Sequence, residues 1–240
     1  MIKYVPGATL ACLLAISPVF ATPDTSEAVK AAQGALHLTP DIENGKQVYR
    51  VCAVCHAPEG WGTESGSYPQ IAGQLSSVII KQIVDILARN RDVPTMFPFT
   101  VLENLQPQEL ADVASYLSQL PMTDSNGVGP GTDLAHGEKL YKENCVDCHG
   151  SNGEGIEKEG MPLIQGQHYK YLVRQFEWIR DGKRRNADEE MVKQIQRFDE
   201  RDISAVMDYT SRLRPPAARL TKPDWRNPDF SAFVRNGLPE

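Results

Sequence analysis

Two five-residue units, Cys52-Ala53-Val54-Cys55-His56 and Cys145-Val146-Asp147-Cys148-His149, constrain this chain more than anything else in it. Each places two thiols three positions apart with a histidine directly after them. That pattern suits covalent capture of a c-type haem, because each thiol adds across one vinyl group of the porphyrin while the imidazole reaches the iron from below. A thioredoxin-like dithiol leaves the histidine after both units unexplained. A shared zinc cage usually draws on pairs about 15–20 residues apart, and most of a domain separates Cys55 from Cys145. The expectation is two covalently bound haem c groups, attached through Cys52, Cys55, Cys145 and Cys148, with His56 and His149 as iron ligands.

The surroundings of the two units repeat as well. Cys52 and Cys145, His56 and His149, Pro69 and Pro162, Gly73 and Gly166, and Tyr116 and Tyr209 are all 93 positions apart. Asp41 is a plausible N-cap for the helix that leads into the first unit, and a second helix from Leu75 to about Arg89 carries Ile79, Ile80, Ile83 and Ile86 on one face. Pro107 opens a closing helix with Leu110, Val113, Ala114, Leu117 and Leu120 as its buried stripe. The same two stripes recur as Leu172, Val173, Phe176, Ile179 and as Ile203, Val206, Met207, Thr210, Leu213. The fold class is therefore all-α, a tandem duplication of one helical unit.

The division expected along the chain is a signal peptide over 1–21, an N-terminal extension over 22–40, a first domain over 41–120, a linker over 121–133, a second domain over 134–213 and a tail over 214–240. Lys3, the apolar run from Thr9 to Ile16 and Val19-Phe20-Ala21 make the signal, with too short an apolar stretch to span a bilayer. Its removal discards Cys12, so every remaining cysteine belongs to one of the two units, and the chain is expected in the periplasm. Residues 22–125 hold 12 acidic and 6 basic side chains, a net of −6, whereas 126–240 hold 19 and 18. That balance argues against a nucleic-acid partner. Arg180, Lys183, Arg184 and Arg185 cluster in the second half while the first domain is acidic, so they form either a docking patch, one end of a charge dipole that presents different ends to different partners, or an ordinary solvated helix end.

A haem held by one histidine is open to small ligands, while a thioether on the far side closes the iron and favours Fe(II). Each half has one methionine between its long helix and its closing helix, Met96 and Met191, and these are the expected second ligands. Met191 falls two residues out of the 93-residue register, which a loop absorbs more easily than a helix face, so both are expected on loops. Met207 and Met161 suit packing, Met122 an interdomain contact, and His37 the surface; His136 and His168 are the remaining candidates for the second iron. Pro69 and Pro162, 13 residues after their histidines, could each offer a carbonyl to the imidazole N–H.

The two Cys-x-x-Cys-His units, Pro-x-Ile-x-Gly-Gln after each, and a methionine before each closing helix resemble the two-haem bacterial cytochromes of the c4 type. The likeness covers about 41–213. It implies two class I cytochrome c domains related by a pseudo-twofold and a periplasmic carrier between a redox protein donor and an acceptor, such as a membrane-bound oxidase or a periplasmic reductase. No nucleophile, general base beside a pocket or further metal site is legible, so no enzyme activity is expected. The alternatives are a haem subunit of a larger dehydrogenase, with the tail as its docking strap, and a di-haem peroxidase or sulfur-compound dehydrogenase.

Overall fold

The computed structural model describes residues 30, 33–98, 105–222 and 224–230. Among these residues the regular structure is helical, with isolated bridges in place of strands. The first lobe holds α1 (Ile42–His56), α2 (Ser76–Leu87) and α3 (Pro107–Gln119). The second holds α4 (Leu134–Asn144), the single turn α5 (Val146–His149), α6 (Tyr169–Arg180), α7 (Glu189–Ile195) and α8 (Glu200–Ser211). The expected signal segment and most of residues 22–32 lie outside the described residues. Among those described, no helix is long and apolar enough to cross a membrane.

Local chemistry accounts for the helix starts. Asp41 caps α1 by accepting from the backbone N–H groups of Glu43 and Asn44, and Pro107 occupies the first turn of α3, where no N–H is missed. The two stripes of the first lobe close on one another in one core, with Ile79, Ile80, Ile83, Leu110, Val113, Ala114 and Leu117 buried. The second lobe buries Leu172, Phe176, Ile179, Ile203, Val206, Met207 and Leu213 in the same way. Each of the larger side chains among them stabilises its lobe by about 1.5–3 kcal/mol, and Ala114 by less.

In each lobe the helix leading to the cysteines packs on the closing helix, α1 on α3 and α4 on α8. A glycine sits at each crossing: a side chain at Gly45 would run into the Asp112 carbonyl, and one at Gly137 into the Ala205 carbonyl. These glycines are 92 positions apart, as are Tyr49 and Tyr141, whereas the cysteines are 93 apart. The second lobe thus has one extra residue between Tyr141 and Cys145. A helix cannot absorb one residue without turning its face, so α4 stops at Asn144 and α5 begins afresh, while α1 runs unbroken to His56.

The segment expected as a plain linker is pinned down. Met122 is 1% exposed and packs between Gly73 and Gly166, the equivalent glycines of the two lobes, which is the interdomain contact expected of it. Asn126 donates from Nδ2 to the carbonyls of Gln167 (3.0 Å) and Ser211 (2.8 Å). The tail returns to the first lobe. Arg219 donates to the Gly73 carbonyl at 2.6 Å, Trp225 lies against Trp61, Asn227 donates to the Pro58 carbonyl and Phe230 packs edge-on against Tyr49. Among the described residues of the tail, Trp225 and Phe230 are thus spent against the first lobe.

Candidate haem-binding sites

α1 and α5 deliver the two histidines to matching places. His56 and His149 are each 8% exposed, and the chain turns sharply after each one. The tyrosine one helical face earlier fastens that turn, with Tyr49 donating to the Ala57 carbonyl at 2.5 Å and Tyr141 to the Gly150 carbonyl at 2.8 Å. Burial and neighbouring charges raise the pKa of both phenols, so they stay neutral donors. Sequence reasoning missed these tyrosines because they lie upstream of the one-residue insertion and out of the 93-residue register.

The proline carbonyls are where their spacing suggested. His56 Nδ1 is 3.1 Å from the Pro69 oxygen and His149 Nδ1 is 2.9 Å from the Pro162 oxygen. A carbonyl only accepts, so Nδ1 carries the proton in both rings and the Nε2 lone pair is left for a metal. Burial lowers the pKa of both histidines, with the proline hydrogen bonds acting the other way. Neutral imidazole is the form that ligates iron.

The four cysteines among the described residues are thiols, none of them in a disulfide. Cys52 packs against the first core and Cys145 against the second, so the two pairs do not share a cage, and among the described residues no three His, Cys, Asp or Glu side chains gather as a metal cluster. Burial, with help from Cys148, pushes the Cys145 thiol up to about 12. Such an environment at Cys145 suits a neutral thioether. Together, a dithiol, a buried neutral imidazole with Nε2 available and a methionine beside each core fit a haem.

Met96 and Met191 are both half-buried and packed against their lobes' cores. Met96 follows Pro94 in a turn closed by its own N–H to the Val93 carbonyl at 3.0 Å, and residues 99–104 after it lie outside the described residues. Met191 is not on a loop as expected. It sits in the first turn of α7, capped by Asp188, whose carboxylate accepts from the Glu190 and Met191 N–H groups. The rival ligands are otherwise engaged. His136 is 2.6 Å from Asp202. His168 accepts from the Gly127 N–H at Nδ1 and donates from Nε2 to the Trp61 carbonyl, at 3.1 and 2.7 Å. His37 is exposed.

Between the lobes lies a second matched set that the sequence did not reveal. Arg91 donates to Gln82 and Gln175, and Arg184 donates to Gln175 and Gln82, at 2.7, 3.3, 3.0 and 2.9 Å. Both arginines and both glutamines are 93 positions apart, so the pseudo-twofold runs through this cluster. Arg91 also donates to the Tyr171 hydroxyl and Arg184 to Asn186 Oδ1, again neutral groups. Burial and then Arg91 push Arg184 down to about 10. Burial would raise the Tyr171 hydroxyl, but the surrounding arginines outweigh it and hold it low. Arg184 therefore belongs to the lobe interface and not to a docking patch; Arg185 also reaches the Arg89 carbonyl, and Arg180 pairs with Asp181.

The chain matches the cytochrome c family model twice, over 42–121 and 134–213. It is 32% identical over 188 residues to cytochrome c4 of Pseudomonas aeruginosa, covering 75% of this chain and 92% of that protein. A thiosulfate dehydrogenase electron acceptor of Stutzerimonas stutzeri is 29% identical over 172 residues, 68% of this chain and 78% of its own length. The solved structure of reduced cytochrome c4 from Pseudomonas stutzeri superposes with a TM-score of 0.65 at 29% identity, covering 73% of this chain and all of that one. The duplicated lobes, the paired thiols with their buried histidines and these likenesses lead to one assignment: the chain belongs to the cytochrome c family, as a di-haem electron-transfer cytochrome of the c4 type with two covalently bound haem c groups.

Proposed function

We propose that the protein is a periplasmic electron carrier in which Cys52, Cys55 and Cys145, Cys148 attach the haems, His56 and His149 bind iron from one side, and Met96 and Met191 bind it from the other. The observation that carries this is the fixed tautomer of the two histidines, which leaves Nε2 as the metal-binding nitrogen beside each dithiol. Haem iron held between imidazole and thioether exchanges one electron without changing its ligands. The chain's part is to keep that geometry still. The tyrosine–carbonyl and histidine–proline bonds fix the proximal ring, and the two cores hold the methionines in place.

The arginine pair fits the same picture. Two guanidinium groups hydrogen-bonded to neutral partners, with Asp85 as the carboxylate whose charge acts on Arg184, suit further anions, and each haem would bring two propionates. The periplasmic assignment rests on the export-like segment over 1–21, and the donor and acceptor are redox proteins. A second reading, the electron-accepting subunit of a dehydrogenase, draws support from the Stutzerimonas relative. Both place the same chemistry in this chain and differ only in the donor.

Absorbance of the purified protein tests the ligands. Two haems per chain are expected, with the weak near-red band of thioether-bound Fe(III). Met96→His and Met191→His should each remove about half of that band and lower one of the two potentials by more than about tenfold in the Fe(III)/Fe(II) equilibrium. An unchanged band in either variant would remove that methionine from the site.

A further inference from the structure

The peptide group between Pro69 and Gln70 has two customers. Its carbonyl takes the His56 proton, and its N–H donates to Oε1 of Gln167, in the other lobe, at 3.0 Å. Gln167 completes the pair by donating from Nε2 to the Gln70 carbonyl at 2.8 Å. The mirror arrangement is present. The peptide between Pro162 and Leu163 takes the His149 proton and donates to Oε1 of Gln74, in the first lobe, at 3.1 Å, while Gln74 Nε2 donates to the Leu163 carbonyl at 2.9 Å. Even the further bond matches: Gln74 Oε1 also accepts from the Leu75 N–H and Gln167 Oε1 from the His168 N–H.

We propose that Gln74 and Gln167 are positioning residues that act across the lobe interface, each setting the donor strength of the other lobe's histidine toward iron. An amide whose N–H is engaged is polarised, and its carbonyl becomes a better acceptor by roughly 10–30% per bond in the chain. A stronger acceptor at Pro69 draws the His56 Nδ1 proton and enriches Nε2, which favours Fe(III) and lowers the potential. The partner lobe's glutamine thus holds one haem's potential down, and the docking of the lobes is written into the redox properties of both.

The inference rests on His56 and His149 as iron ligands, and the test separates the two ideas. In a Met191→His background the second haem is moved to low potential, so the first haem titrates alone. There Gln167→Met removes the acceptor and should raise the first haem's potential by roughly two- to tenfold in the Fe(III)/Fe(II) equilibrium, where tenfold is about 59 mV for one electron. Gln167→Glu keeps the two accepted bonds, offers a stronger acceptor and should shift the same haem the other way. In the Met96→His background, Gln74→Met should raise the second haem in turn. The near-red band of the remaining methionine stays in every variant if the ligands are intact, so a loss of ligation is seen independently of a shift in potential. No shift, a shift confined to the lobe that carries the substitution, or the same sign from Gln167→Met and Gln167→Glu would overturn the proposal. If Gln167→Met does not fold, the sign given by Gln167→Glu alone decides.

Discussion

Tyr141 donates its phenol to the carbonyl of Gly150, the residue directly after His149, and Tyr49 does the same for Ala57. Each bond closes the turn that aims a histidine, and each carbonyl also accepts a backbone N–H three residues on, from Gly60 and Gly153. Tyr141→Phe keeps the ring and its packing on Tyr209 while losing the hydrogen bond. It should lower the stability of the second lobe by about 1 kcal/mol in chemical denaturation. At this scale the sequence was informative where chemistry demands a fixed residue at a fixed distance. The cysteines and histidines, and even the proline carbonyls 13 residues on, were legible because covalent reach and a ring N–H leave few options. Tyr49 and Tyr141 were not, since a buried tyrosine near a motif looks like core until its hydroxyl is seen to have a partner.

The helices were legible as stripes, and their junctions were not. Periodic burial marks α2, α3, α6 and α8 in the sequence, but the end of α4 depends on one added residue that leaves the stripes unaltered. The placement of Met191 in α7 was missed for a related reason: a seven-residue helix has too few turns to display a period. Glycine at the α4–α8 crossing offers a test at this level. In an exposed helix interior Gly→Ala is stabilising by about 1 kcal/mol. At Gly137 the new methyl meets the Ala205 carbonyl and Tyr209 Cβ, and overpacking costs about 1–3 kcal/mol. The clash outweighs the propensity, so Gly137→Ala should reduce the second lobe's denaturant midpoint.

Across the whole molecule, most contacts between lobes were concealed in the sequence, with Met122 the exception. Gln74 and Gln167 belong to a motif that reads as a turn of their own lobe, and Arg184 reads as a helix end; only the docked pair shows what each faces. His168 makes the docking sensitive to acid. Its ring is 2% exposed and spans Gly127 and Trp61, and burial lowers its pKa below 6.5, against the Trp61 carbonyl and Glu64, which favour the proton. Above pH 6.5 the ring is neutral in both folded and unfolded chains and its stabilisation is complete. As pH falls below 6.5 the unfolded chain takes up the proton first, so stability declines until the folded pKa is passed. Stability measured between pH 7 and 5 should therefore fall with acid, and His168→Gln should flatten that slope. The tail has a further effect. The polypeptide leaves the first lobe, builds the second and then clasps the first again through Trp225, Asn227 and Phe230. A hinge between the halves is tied at both sides, so under the proposed function the speed of internal charge hopping should report driving force instead of the tempo of a swinging domain.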